Sequence, residues 1–91
     1  MKKINIAINP KEWDMFYVTK LVSHAGKCAC NIDIISNKRY INMKSVIDMM
    51  AFREKIVYKK KLLICLDGID EEEAAEWLIR YLGADSSVLN K

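Results

Sequence analysis

Few side chains in this sequence can do covalent chemistry, and their spacing limits what that chemistry can be. The chain has one histidine, His24, and three cysteines. Imidazole is the usual nucleophile, base or metal ligand near neutral pH. His24 follows the apolar stripe Val18, Leu21, Val22, Ala25 on its outward side, near the end of a helical pattern, so it reads as a surface residue. Cys28 and Cys30 share parity with Ile32 and Ile34 in an alternating run and read as small hydrophobes facing a core. Cys65 has the opposite parity to Leu62, Ile64 and Leu66 and faces the other side of its strand. C-x-C with one distant cysteine is a poor zinc set, so no metal and no cofactor are expected. Two further residues stand where helices begin. Asp14 precedes the Val18 stripe, and Ser45 precedes a dense apolar run, each in N-cap position. Val46, Ile47, Met49, Met50 and Phe52 fill five of the seven positions 46–52. A short helix packed on one side buries about two or three such residues, so some are exposed beside a hydroxyl.

The elements that carry these residues follow from periodicity. Ile4, Ile6 and Ile8 alternate as a strand, and Asn9-Pro10 breaks it. The first helix runs from an Asp14 cap to a Gly26 stop. A strand over Cys28–Ile34, turn chemistry at Ser36-Asn37-Lys38 and a strand over Arg39–Asn42 form a hairpin. Ser45 with Asp48 has capping-box spacing before the second helix. Residues 53–61 are charged and irregular, and the lysines at 59–61 read as a solvated loop edge. Leu62–Leu66 form the fourth strand, Asp67-Gly68 turns out of it, and Asp70 with Glu73 repeats the capping-box spacing. The last helix carries Ala74, Leu78 and Tyr81 on one stripe and ends near Leu82, with Gly83 past it. The order β-α-β-β-α-β-α predicts an α+β open-faced β-sandwich: a four-stranded antiparallel sheet with three helices on one face.

The 91 residues make one domain over 1–91, and the 52% hydrophobic content fills a modest core. A net charge of +3 without a basic, aromatic-interleaved face argues against nucleic-acid binding. The alternation over residues 3–8 excludes a signal-peptide core, and no run approaches the roughly 20 apolar residues of a membrane span. A cytoplasmic protein with reduced thiols is expected, with no membrane insertion.

At this level the chain resembles HPr, the histidine phosphocarrier of the bacterial sugar phosphotransferase system. Asn42-Met43-Lys44-Ser45-Val46-Ile47 is similar to the family's N-A-K-S-I-M run before its second helix. Asp67-Gly68-Ile69-Asp70-Glu71 resembles its turn into the last helix, and Leu21-Val22 with Ala25 sit where its first helix packs on the sheet. The family's reactive run G-L-H-A-R-P-A aligns with Glu12–Val18. Trp13 takes the leucine's place, Asp14 the phosphorylated histidine's, Phe16 the arginine's and Tyr17 the proline's.

The resemblance therefore implies an HPr-like protein that is regulatory or protein-docking, not an enzyme and not competent for phosphohistidine transfer. A phosphocarrier needs a neutral imidazole nucleophile and a cation for the phosphate; Lys11 is the nearest cation in sequence. Asp14 is then a structural cap, a fixed anion imitating the phosphorylated histidine, or an aspartyl-phosphate acceptor, the last making the chain a divergent phosphocarrier. A general interaction domain that keeps only the fold is the remaining alternative. The resemblance further implies regulatory phosphorylation at Ser45 and a partner surface of Val46, Ile47 and Met50, with Met49 and Phe52 left to the core; Phe16, opposite the Val18 stripe, and Tyr17, at its flank, are expected to extend that surface. The implied partners are proteins: phosphotransferase-system enzymes, an HPr-type serine kinase or a transcriptional regulator.

Overall fold

A computed structural model of the chain describes residues 1–56 and 61–82, together with the backbone of a strand at 88–90. The strands are β1 (Lys2–Ala7), β2 (Asn31–Ser36), β3 (Arg39–Asn42), β4 (Lys61–Asp67) and β5 (Val88–Asn90). The helices are α1 (Met15–Ala25), α2 (Val46–Arg53) and α3 (Glu71–Leu82), with a 3-10 turn at Pro10–Glu12 before α1. The sheet order is β3-β2-β4-β1-β5, and every pairing is antiparallel. Its first four strands and the three helices make the expected α+β open-faced sandwich. The short strand β5, beside Ile4–Ile6 of β1, is the addition. Three residues are too few to show a period, which is why alternation does not reveal it.

Alternation decides the inner face. Ile4 and Ile6 of β1, Ile32 and Ile34 of β2, and Leu62, Ile64 and Leu66 of β4 are all buried. They meet Val18, Leu21, Val22 and Ala25 of α1, Met49 and Phe52 of α2, and Ala74, Ala75, Leu78 and Leu82 of α3 in one apolar cluster. Each fully buried isoleucine or leucine here contributes on the order of 1.5–3 kcal/mol. The β2–β3 hairpin closes through Asn37 (φ 50°) and Lys38 (φ 65°), between the paired residues Ser36 and Arg39. Positive φ at both central residues is the requirement of a type I′ turn, whose twist matches the strands it joins.

Several local expectations need correction. β2 starts at Asn31, so Cys28 lies in the loop before it and is only half-buried, while Cys30 is fully buried. Gly26 ends α1 with φ −64°, a right-handed conformation, and not as a left-handed stop; the turn continues through Lys27 N–H to His24 O and Cys28 N–H to Ala25 O. Cys65 pairs across the sheet with Lys3 and Asp33, as its parity requires, yet is only 5% exposed. β4 is an interior strand, and neighbours on both sides cover the thiol. The lysines at 59–60 and the Gly83 stop lie outside the described residues; Lys61 opens β4.

The turn out of β4 carries the tightest packing. A Cβ on Gly68 would stand 2.5 Å from Cys30 Cα and 2.6 Å from Cys30 Cβ. Asp70 follows, and its side chain does not pair with Glu73 as a capping box. Its two carboxylate oxygens accept the Ala29 and Cys30 backbone N–H groups, each at 2.8 Å, while its carbonyl accepts the Ala74 N–H at 2.9 Å. The long-range partners win because two N–H groups before β2 would otherwise be unpaired. Glu71, also reaching back, accepts the Gly68 N–H at 3.1 Å. Gly68→Ala should destabilise the protein by about 1–3 kcal/mol, the usual cost of forcing a methyl into a packed site. Urea unfolding checks this; an unchanged midpoint would mean that the β4 turn can move away from Cys30.

Candidate functional site

The residues singled out from sequence lie in the first turns of α1 and α2, two helices that pack against each other with opposite directions. Asp14 is extended (φ −83°, ψ −179°), and its Oδ1 accepts the Tyr17 N–H at 2.8 Å while its carbonyl accepts the Val18 N–H at 3.0 Å. The cap forms because a carboxylate there satisfies an orphan N–H and meets the positive end of the helix dipole. Beside it, Phe16 is 88% exposed and Met15 62% exposed. Met15 is the residue that sequence reasoning missed; only its position opposite the buried stripe signals it.

Ser45 repeats the arrangement on α2. Its Oγ accepts the Asp48 N–H at 3.2 Å. The reciprocal half of the capping box is not made, because the Ser45 N–H donates to Asn42 O at 3.1 Å. Val46 is 48% exposed and Ile47 81% exposed, while Met49 and Phe52 are buried and Met50 packs half-buried against the core. The second helix thus divides its apolar surplus between the core and the outside. Lys44, half-buried, donates its ammonium to Cys28 O at 2.7 Å.

Tyr17 differs from Phe16. It is half-buried between Trp13 (ring centroids 5.5 Å) and Tyr81 (5.0 Å). Its hydroxyl points to Tyr81 O at 3.4 Å, and that of Tyr81 to Tyr17 O at 3.3 Å. Burial, and then the neighbouring Tyr81, push the Tyr17 phenol well above its ordinary range. His24 is no free surface residue: it is half-buried, with Trp77 at 5.2 Å and Tyr81 at 6.3 Å between ring centroids. The α3 aromatics cover it, which the outward side of α1 taken alone does not reveal.

A cation from a distant part of the chain reaches the start of α1. Arg53, in the last turn of α2, donates its Nε–H to Trp13 O at 2.8 Å, next to Asp14. Trp13 is buried and meets Phe52 edge-on at 6.5 Å. This contact fixes the end of α2 against the entry of α1. Lys11 is the nearest cation in sequence, and Arg53 is not legible from sequence proximity. Among the described residues no helix is long and apolar enough to cross a membrane, and no three His, Cys, Asp or Glu side chains converge as a metal set.

The fold is an open-faced α+β sandwich in which α1 and α2 pack side by side, the end of α2 against the start of α1. Residues 3–83 match the family model described as the PTS HPr component phosphorylation site, and the chain belongs to this HPr family of the phosphotransferase system. The solved histidine-containing phosphocarrier protein of Mycoplasma is similar, with 27% identity, a TM-score of 0.68, and coverage of 88% of this chain and 96% of that one. No curated protein sequence matches the chain. The family is one of phosphocarriers, not of catalytic enzymes, and its members interact with other proteins of the phosphotransferase system.

Apart from these helix starts, the Asp70 carboxylate braces the loop before β2. The Ala29 N–H, and then the Cys30 thiol and N–H, hold it below the usual carboxylate range. In turn burial, and then Asp70, raise the Cys30 thiol to about 12. A carboxylate lowered in the folded state stabilises it above the unfolded value of about 3.9, and that stability is lost as pH falls through the lower folded value. Asp70→Asn should therefore flatten the decline of stability below about pH 4. Urea midpoints of both proteins across the acid range test this; parallel decline would show that Asp70 is not the group being protonated.

Proposed function

We propose that this HPr-family chain is a regulatory or docking protein that does not carry phosphohistidine, acting as a single cytoplasmic domain in a bacterial host. The observation that carries the reading is the composition of the first turn of α1. Asp14, which aligns with the family's histidine, is committed to the Tyr17 N–H. Phe16, which aligns with the phosphate-holding arginine, is an apolar ring in solvent. A carboxylate is a poor phosphoryl acceptor unless cations neutralise the developing charge. Arg53 is directed at a backbone carbonyl, and no ion pair joins it to Asp14 among the described residues.

The partner surface of this reading is the pair of exposed first turns: Phe16 of α1, with Tyr17 at its edge, and Val46, Ile47 and Met50 of α2. Large apolar side chains exposed on two neighbouring helices are the kind of surface that marks an interaction site. Ser45 lies at the head of this surface. A phosphate there adds a charge of about −1.5 to −2 and meets a helix N-terminus, so it strengthens the fold slightly, by about 0.3–1 kcal/mol, while changing what a partner meets.

Two experiments test the reading. Incubation with phosphoenolpyruvate and the first enzyme of the phosphotransferase system should leave residue 14 unlabelled, and Asp14→His should label only weakly because Phe16 cannot hold the phosphate. Stoichiometric label on Asp14 would make the chain a divergent phosphocarrier. Incubation with ATP and an HPr-type serine kinase should label Ser45 alone, and Ile47→Ala should lower kcat/KM by about tenfold, equivalent to roughly 1.4 kcal/mol. Equal labelling of wild type and Ile47→Ala would remove Ile47 from the docking surface.

A further inference from the structure

The loop between α1 and β2 is held from two directions by charged side chains. Asp70 takes its N–H groups at Ala29 and Cys30, each at 2.8 Å. Lys44 takes its carbonyl at Cys28, at 2.7 Å. Lys44 is also the residue before Ser45, and its own N–H is fixed to Asn42 Oδ1 at 2.9 Å, so its backbone is anchored while its side chain reaches across. The ammonium therefore bridges the position that heads α2 and a loop sixteen residues earlier.

We propose that Lys44 is a latch controlled by the charge state of Ser45: phosphorylation draws its ammonium from Cys28 O to the phosphate and frees the Lys27–Cys28 side of the loop. The proposal rests on the reading of Ser45 as a modified residue and names what that modification changes inside the molecule. In the modification itself the Ser45 Oγ bonds to the γ-phosphorus of ATP, the bond from that phosphorus to ADP breaks, and the hydroxyl proton passes to a base of the kinase. The competition then has a clear direction. In the unmodified protein the ammonium faces a neutral carbonyl. A phosphoserine offers a dianion with three acceptor oxygens, and hydrogen bonds between two ionised groups are the stronger kind. Lysine suits this exchange because its ammonium is a point charge on a flexible four-carbon stem that swings without losing a fixed geometry. Asp70, the other anion near the ammonium, already has both oxygens engaged with N–H groups and keeps its hold on Ala29 and Cys30. Release is thus confined to the Lys27–Cys28 side of the loop, next to the end of α1.

The test does not use a kinase or a partner, so its failure is separate from failure of the docking reading. Phosphoserine is incorporated genetically at position 45, and the backbone carbonyl 13C resonance of Cys28 is followed by NMR, together with amide exchange at Lys27 and Cys28. Lys44→Met should move the Cys28 carbonyl upfield, the sign of a lost hydrogen bond, and speed exchange at both amides. Phosphoserine at 45 should produce the same two changes in the wild-type background and neither in the Lys44→Met background. A Cys28 carbonyl that does not respond to phosphoserine, or that responds equally in both backgrounds, overturns the latch. Should Lys44→Met not fold, wild type against the phosphoserine protein decides alone, because an unmoved Cys28 carbonyl is sufficient to reject it.

Discussion

The whole sheet depends on β4. It is the last of the four main strands to appear in the chain, yet it lies between β2 and β1, which never pair with each other. Until Lys61–Asp67 is in place, β1 has no partner among the first four strands, and β2 has only its hairpin mate. The inner residues Leu62, Ile64 and Leu66 then join two otherwise separate isoleucine pairs into one layer. Such a topology concentrates its stabilising contacts at large sequence separation, which slows folding relative to a helical bundle of the same size. It also explains why the turn leaving β4 is packed so closely. Gly68 against Cys30 and Asp70 against the Ala29 and Cys30 N–H groups seal the central strand to the start of β2, from residues about forty positions apart.

Local features were legible in the sequence where a local rule governs them. Ile4 and Ile6, the Val18 stripe, the hairpin at Asn37-Lys38 and the caps at Asp14 and Ser45 all obey spacing or turn chemistry that acts over a few residues. What escaped was set by tertiary partners. The Asp70–Glu73 spacing matches a capping box, but the loop before β2 offered that carboxylate two N–H groups instead. His24 faces away from its helix's core stripe, yet α3 brings Trp77 and Tyr81 over it. Cys65 follows its parity and is still enclosed, because its strand is interior. Arg53 could not be associated with Trp13 from a separation of forty residues. β5 was too short to show any period.

The candidate site uses the same physics twice. Each of α1 and α2 begins with an oxygen that closes an open N–H, Asp14 in one case and Ser45 in the other. The two differ in what can still happen there. The Asp14 carboxylate closes the start of α1 through the Tyr17 N–H and offers no hydroxyl there. A capping hydroxyl is neutral and can acquire charge. On the function proposed for this chain, the head of α2 is the helix end at which a phosphoryl group would be gained. Arg53 and the Trp13–Phe52 contact hold the C-terminal end of α2 against the start of α1.

The edges of the sheet set the manner in which this molecule can be recognised. β3 offers four residues, among them the charged Arg39, and β5 only three. Edges so short give an incoming strand little backbone to bind, which is how many proteins avoid joining one another edge to edge. Phe16 and Ile47, two of the most exposed large apolar groups, stand instead on helices, whose backbone groups are satisfied internally beyond the first and last turns. Selectivity for whatever meets this face must therefore reside in side-chain shape and in the charge beside it. Point substitutions could retune it while the sheet remains unchanged.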